Sequence, residues 1–190
     1  MVAYFVLLLA VLSRILPHSL HAVSWNFTAV GGSLLLFGSR MRARSGSRWV
    51  TAAKLASALA VLAATDYYLT VFAYQYPFQL NWYIGTWVWY GAVCLMGMEF
   101  LAKPTVLRVG IGAVASATSF FFISNFMVWM GAKMYPPTLA GLGACYVAGI
   151  PFYRNDLVST ALTAGVLFGL PALASKLAEA LGATENRPLA

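Results

Sequence analysis

The sequence predicts an all-α integral membrane protein with six transmembrane helices. Of the 190 residues, 61% are hydrophobic and only 9% are charged, which is more apolar surface than one soluble core can bury. Most Lys and Arg residues lie in short segments between apolar runs, where they orient helices across a bilayer. The lipid bilayer is therefore the expected solvent for most of the chain.

The first two apolar runs are short. Residues 1–16 and 25–39 each fall below the roughly 17 residues of the shortest transmembrane helices, and the second run contains Gly31 and Gly32. We expect a hairpin of two short helices. The first run has no basic residue before it and Arg14 near its end, the wrong order for a cleaved signal peptide, so it is expected to stay in the mature protein.

Longer apolar runs supply the other spans, namely residues 50–65, 82–102, 105–130 and 157–175. The segment 135–152 is ambiguous, because its prolines and glycines suit a broken element better than an uninterrupted helix. With the basic loops 40–48 and 103–108 in the cytoplasm, an extra crossing there would place Lys176 outside. We therefore expect residues 133–156 to form a partly buried outer lid or re-entrant segment, and both termini to be cytoplasmic. Seven spans are the alternative.

Small residues at a spacing of four mark two possible packing faces. The third span carries Ala52, Ala56, Ala60 and Ala64. The last span carries the pair Gly165 and Gly169, and such residues let helix backbones approach closely in lipid. Packing within the chain is the simpler interpretation, and docking of another membrane subunit is the alternative. Residues 1–182 are expected to form a single transmembrane domain, followed by a short polar tail, 183–190.

The end of the bundle opposite the basic loops is rich in aromatic and polar residues. Apolar walls with a few placed polar groups are typical of a small-molecule pocket, although Trp and Tyr also collect at membrane interfaces. Asn125 lies within an apolar run, where an amide needs a partner. Arg154 could hold a carboxylate or phosphate, or pair with Asp66 or Asp156. The candidate substrate-binding residues are His18, Asn26, Asp66, Tyr83, Asn125, Trp129, Tyr135 and Arg154.

Signals for other functions are weak. The formal net charge of +7 lies in helix-orienting loops, so nucleic-acid binding is not predicted. His18 and His21 are three residues apart but lack a nearby third metal ligand. The chain has no GxxxxGK[ST], GxSxG or HExxH motif, so ATP hydrolysis and proteolysis have no support. We also expect no carboxylate deep in an apolar run, and assign no catalytic residue, metal or cofactor.

Three groups of motifs carry a family resemblance: RILPH at 14–18 with NFT at 26–28, FFISNFMVW at 121–129, and MYP at 134–136 followed by IPFYRN at 150–155. They resemble a group of small bacterial membrane proteins that is similar to the S components of energy-coupling factor (ECF) vitamin transporters. The resemblance implies a six-helix protein of the bacterial inner membrane that binds a vitamin on its outer face. A separate transmembrane subunit and ATPases would energise uptake.

The first helix departs from that pattern. ECF S components often carry small residues four apart on this helix, where the energising subunit docks. In this chain the residues at that spacing are Ala3, Leu7 and Val11, which break the pattern. The alanine stripe could substitute, or the protein works alone, as some cobalamin-specific relatives are thought to do. Cobalamin is therefore one candidate ligand.

The expected function is binding of a vitamin or related micronutrient for uptake, without enzymatic activity. One alternative is a structural or assembly protein whose outer face binds a partner protein, and a flat outer surface would favour it. A further alternative is a membrane enzyme that uses His18, His21 and Asp66, which would have to lie within reach of one another.

Overall fold

A computed structural model describes residues 2–15, 28–42, 47–131 and 134–185. The regular structure in these ranges is helical, which confirms the predicted all-α class. The helices are α1 (Val2–Ile15), α2 (Val30–Ser39), α3 (Arg48–Tyr68), α4 (Leu80–Phe100), α5 (Val106–Gly131) and α6 (Leu139–Glu185). A π-helical turn, Leu69–Ala73, continues α3.

Three helical segments are long and apolar enough to cross a membrane, and they indicate membrane association. They are Arg48–Ala73, Val106–Gly131 and Leu139–Leu181. Two further helices, α1 and α2, are apolar but shorter. Helix α4 has 21 residues, which is sufficient length, but its tryptophans and tyrosines together with Asn81 and Glu99 make it less apolar than those three.

Helix α2 lies at the centre of the bundle. Every residue from Val30 to Gly38 is buried, and the helix contacts α1, α4, α5 and α6. Glycines bring the backbones of α2 and α4 together: a Cβ atom on Gly38 would overlap the carbonyl group of Cys94, and one on Gly97 would lie 2.5 Å from the carbonyl oxygen of Leu35. This reciprocal contact allows so short a helix to be enclosed on all sides.

The two predicted small-residue faces do not pack within the described part of the chain. Ala52, Ala56, Ala60 and Ala64 are all exposed. No atom lies within 4 Å of a Cβ placed on Gly165 or Gly169, other than those of neighbouring residues. Helix α3 instead packs through a different face, with Ala58 and Leu62 in the core. The interpretation of both stripes as internal packing faces is therefore wrong.

Residues 139–156 do not form a lid or re-entrant segment. They are the first part of α6, a continuous helix of 47 residues that also contains the predicted last span, 157–175. At roughly 1.5 Å per residue, α6 is about 70 Å long. The lid prediction is wrong, and so is the seven-span alternative, because both treat this segment as an element separate from the last helix.

Contacts with α5 explain why α6 continues through Pro151. Pro151 removes a backbone N–H donor and normally kinks a helix, but hydrogen bonds to a neighbouring helix hold the chain on both sides of it. The Tyr153 hydroxyl lies 2.9 Å from the Thr118 hydroxyl, the Tyr146 hydroxyl donates to the Phe122 carbonyl at 3.1 Å, and the Cys145 thiol donates to the Asn125 carbonyl at 3.3 Å. Prolines are tolerated in membrane helices that are supported in this way.

Several basic residues, including Arg40, Arg42 and Lys54, lie at one end of the bundle. Arg42 donates to both oxygens of Glu99 at 2.7 Å, and Lys54 donates to the Met41 carbonyl at 3.2 Å. A cavity of about 600 Å³ at this end is lined by the start of α1, the end of α2, the start of α3 and α6 near Pro171. The start of α1 and the C-terminal half of α6 therefore lie at the same end. From residue 171 to 181, α6 is exposed on every side.

Candidate functional site

A buried ion pair joins three helices. Arg14, in the last turn of α1, donates through Nη2 to Oδ1 of Asp66 on α3. The other carboxylate oxygen, Oδ2, accepts a hydrogen bond of 2.9 Å from the indole Nε1 of Trp87 on α4. Only 3% of the Asp66 side chain and 17% of the Arg14 side chain are exposed. Both oxygens of Asp66 are therefore satisfied in a site that excludes most solvent.

The indole hydrogen bond gives a testable contribution to stability. Trp87→Phe keeps an aromatic ring beside Phe78 and Tyr83 but removes the donor to Asp66, so we expect a loss of about 1.5–3 kcal/mol, the usual value for hydrogen bonds to charged groups. The free energy of unfolding in detergent measures it. Trp49→Phe, at a side chain that is 86% exposed, is the control and should change stability by less than about 0.5 kcal/mol. Equal effects of the two changes would contradict the assignment.

A cavity of about 110 Å³ lies beside this ion pair, where α1, α2, α4, α5 and α6 meet. This volume is several times the roughly 10–15 Å³ needed to hold one water molecule. A guanidinium, a carboxylate and three aromatic rings share its wall. These residues are Arg14, Asp156, Trp89, Tyr90 and Phe120, with Thr28 at one side.

Several polar atoms at and near this cavity are buried without a hydrogen bond in the described part of the chain. They include Nη1 of Arg14 and Oδ2 of Asp156, and Asp156 is only 7% exposed. The hydroxyl oxygen of Ser116 is likewise unpaired, and it lies beside Gly31, 3.4 Å from the position of an added Cβ. Buried polar groups are normally satisfied, so these atoms indicate a place for a ligand or ordered water.

A family model matches residues 1–181 of the chain. The chain belongs to DUF6580, a family of unknown function. The match takes in α1 to α5 completely and α6 as far as Leu181, so it includes the ion pair and the cavity of this DUF6580 protein. The family description assigns no activity and makes no link to ECF S components. No curated protein and no solved structure is significantly similar to the chain.

Two buried carboxylates in this DUF6580 chain overturn one expectation. Asp66 and Asp156 stand at the ends of apolar runs in the sequence, which suggested positions at the membrane surface. The helices continue past both residues, α3 through its π-helical turn to Ala73 and α6 from Leu139. Both carboxylates consequently lie inside the bundle, and the prediction that deep carboxylates are missing is wrong.

The predicted site residues fall into separate groups. His18 and Asn26 lie outside the described residues. Asp66 belongs to the ion pair, and Tyr83 lies close to it: its hydroxyl shares a hydrogen bond with Thr70, and its ring stacks on Phe78 with centroids 5.0 Å apart. These two candidates are therefore near each other on the α3 and α4 side of the bundle.

Asn125, Trp129 and Tyr135 lie on the α5 and α6 side. The Asn125 amide donates to the Phe121 carbonyl of its own helix at 2.8 Å, and a Cβ on Gly149 would lie 2.5 Å from its side-chain oxygen. Trp129 donates to the Pro136 carbonyl at 3.0 Å, and Tyr135 is half-buried in the same connection. The Asn125 amide thus finds its hydrogen-bond partner in its own helix. The close approach of Asn125 to Gly149 and the hydrogen bond from Trp129 to Pro136 connect α5 with α6 and with the segment before it.

Arg154 faces away from the cavity. Its side chain is exposed, and the described residues include no ion pair between it and Asp66 or Asp156; Asp66 pairs with Arg14 instead. Sequence reasoning missed Arg14, Trp87 and Tyr90 as site residues. The available signal was Arg14 itself, because a charge inside an apolar run is a functional candidate that requires a partner.

Proposed function

We propose that this protein is a multi-pass component of the bacterial cytoplasmic membrane that binds a small micronutrient from the outer side for uptake. All six helices cross the membrane in this proposal, α1 and α2 as a short hairpin, and both termini are cytoplasmic. The cluster of basic residues at one end supports this orientation through the positive-inside rule. The common position of the start of α1 and the C-terminal half of α6 supports an even number of crossings.

The observation that carries the proposal is the cavity beside the Arg14 and Asp66 pair. The cavity combines aromatic walls with two charged side chains, Arg14 and Asp156, and one atom of each makes no hydrogen bond within the described part of the chain. This composition is typical of ligand sites between helices. Its volume of about 110 Å³ lies below the roughly 300–1,000 Å³ of pockets for drug-sized ligands. The geometry therefore favours a compact ligand over cobalamin.

The proposal also includes separate subunits that would supply the energy for uptake. The exposed alanines of α3, at positions 52, 56, 60 and 64, give a smooth surface on which a transmembrane subunit with associated ATPases could dock. The alternative of an assembly protein rests on a flat outer face, and the presence of a polar cavity supports ligand binding instead.

Native mass spectrometry of the purified protein tests the proposal. We expect a small molecule to be released from the wild type, and Asp156→Asn to weaken its binding at least tenfold, because one charged wall of the cavity is lost. Arg154→Ala is the matched control in the same helix, and its exposed side chain should leave binding unchanged. The proposal fails if no small molecule co-purifies and no micronutrient raises the melting temperature of the protein.

A further inference from the structure

Among the described residues, the charges around the cavity do not balance when Asp156 is ionised. Arg14 and Asp66 neutralise each other, whereas Asp156 has no cationic partner among the described residues. The nearby Arg154 is exposed and makes no ion pair there. A buried carboxylate without a partner is costly in a low-dielectric environment. A ligand that brings one positive charge to Asp156 would make the group of charges neutral.

The walls favour an organic cation over an inorganic one. The rings of Trp89 and Phe120 have centroids 4.6 Å apart, and those of Trp89 and Tyr90 are 5.6 Å apart. Aromatic faces attract ammonium groups, whereas hard metal ions require six or more oxygen ligands. Among the described residues, no three His, Cys, Asp or Glu side chains come together to hold a metal.

The free donor of Arg14 specifies the second part of the ligand. Nη1 makes no hydrogen bond, so a ligand oxygen could accept one. A carboxylate there would return the buried group to a net negative charge, while a hydroxyl or carbonyl oxygen would leave it neutral. Because net charge is expensive inside a membrane protein, a neutral acceptor is favoured.

We infer that the cavity binds a small organic ammonium compound that also carries a hydroxyl or carbonyl oxygen. The ammonium group contacts Asp156 and the aromatic walls, and the oxygen accepts from Arg14. The cavity volume of about 110 Å³ suits a ligand of a few heavy atoms, and ethanolamine is the simplest probe of this class. This inference rests on the proposed function and names its substrate class.

Isothermal titration calorimetry on the full chain in lipid nanodiscs tests the inference. The probes are ethanolamine, ethylamine, ethylene glycol and β-alanine, which separate the ammonium group, the neutral oxygen and a carboxylate. We expect ethanolamine to bind at least tenfold more tightly than each of the others. Asp156→Asn should remove this advantage, and Arg154→Ala should preserve it.

Each contrary outcome has a distinct meaning. Tighter binding of β-alanine would overturn the neutral-acceptor argument, and unchanged binding of ethanolamine to Asp156→Asn would overturn the role of the carboxylate. If no probe binds but native mass spectrometry shows another bound small molecule, the inference fails and the proposed function stands. If no probe binds, no small molecule co-purifies and no micronutrient raises the melting temperature, both fail.

Discussion

Asp66→Ala is expected to lower the free energy of unfolding by about 3–5 kcal/mol, the cost of removing one partner from a buried ion pair. The change leaves the Arg14 guanidinium largely buried with no carboxylate, and it removes the acceptor of the Trp87 indole. Equilibrium unfolding in mixed detergent micelles measures the loss. A cost below about 1 kcal/mol would contradict the central position given to this pair.

The double replacement Arg14→Met with Asp66→Leu is the matched control. Apolar side chains of similar size remove both charges together, and buried pairs replaced in this way are often neutral in stability. We expect the double variant to be more stable than either single variant. The resulting coupling free energy distinguishes a true pair from two independent contributions.

Gly38→Val is expected to cost about 3 kcal/mol or more, at or above the upper end of the range for overpacked cores. A side chain there would overlap the Cys94 carbonyl group, and backbone cannot rotate aside as a flexible side chain can. The change should therefore separate α2 from α4. Thermal unfolding of the purified protein, with its free energy taken from denaturation curves, measures the effect.

Gly110→Val provides the comparison at a site without close contacts. Gly110 lies on α5, and no atom lies within 4 Å of an added Cβ apart from those of neighbouring residues. Replacing glycine within a helix is neutral or slightly favourable where space allows. If both variants lose the same stability, the cause is glycine replacement in general and not the contact between α2 and α4.

The helices were largely predictable from the sequence, but the end of α3 and the extent of α6 were not. Apolar runs identify the helices because lipid or a helical core must surround them. The predicted third span ends at residue 65, before Asp66, and the helix continues because Arg14, 52 residues away, neutralises that carboxylate. A long-range partner of this kind leaves no trace in local composition.

Proline misled the prediction for α6 in a related way. Locally, Pro151 is a reason to end or break a helix. The helix continues because hydroxyl and thiol groups on either side of it bond to α5, and the sequence does not show which helix will lie alongside. Tertiary contact thus decided an element that local propensity alone would have interrupted.

The candidate site was predicted only in part. Asp66 and Tyr83 are both candidates from the sequence, and the structure brings them close together through Thr70. Arg154 was chosen for its chemistry, but helical periodicity places it on the exposed face of α6, two residues from the buried Asp156. Choosing between adjacent charged residues requires knowing which side of the helix meets α5, and this depends on the packed structure.

The length of α6 has a mechanical consequence. One helix joins the Asp156 carboxylate to an extension that projects past the basic end of the bundle, and Pro171 lies between them. At roughly 1.5 Å per residue, a change of about 10° in axis direction at Pro171 would move the far end of the helix by about 4 Å. The length of α6 beyond Pro171 would therefore amplify a small change of axis direction at this proline into a larger displacement of the C-terminal end of the helix.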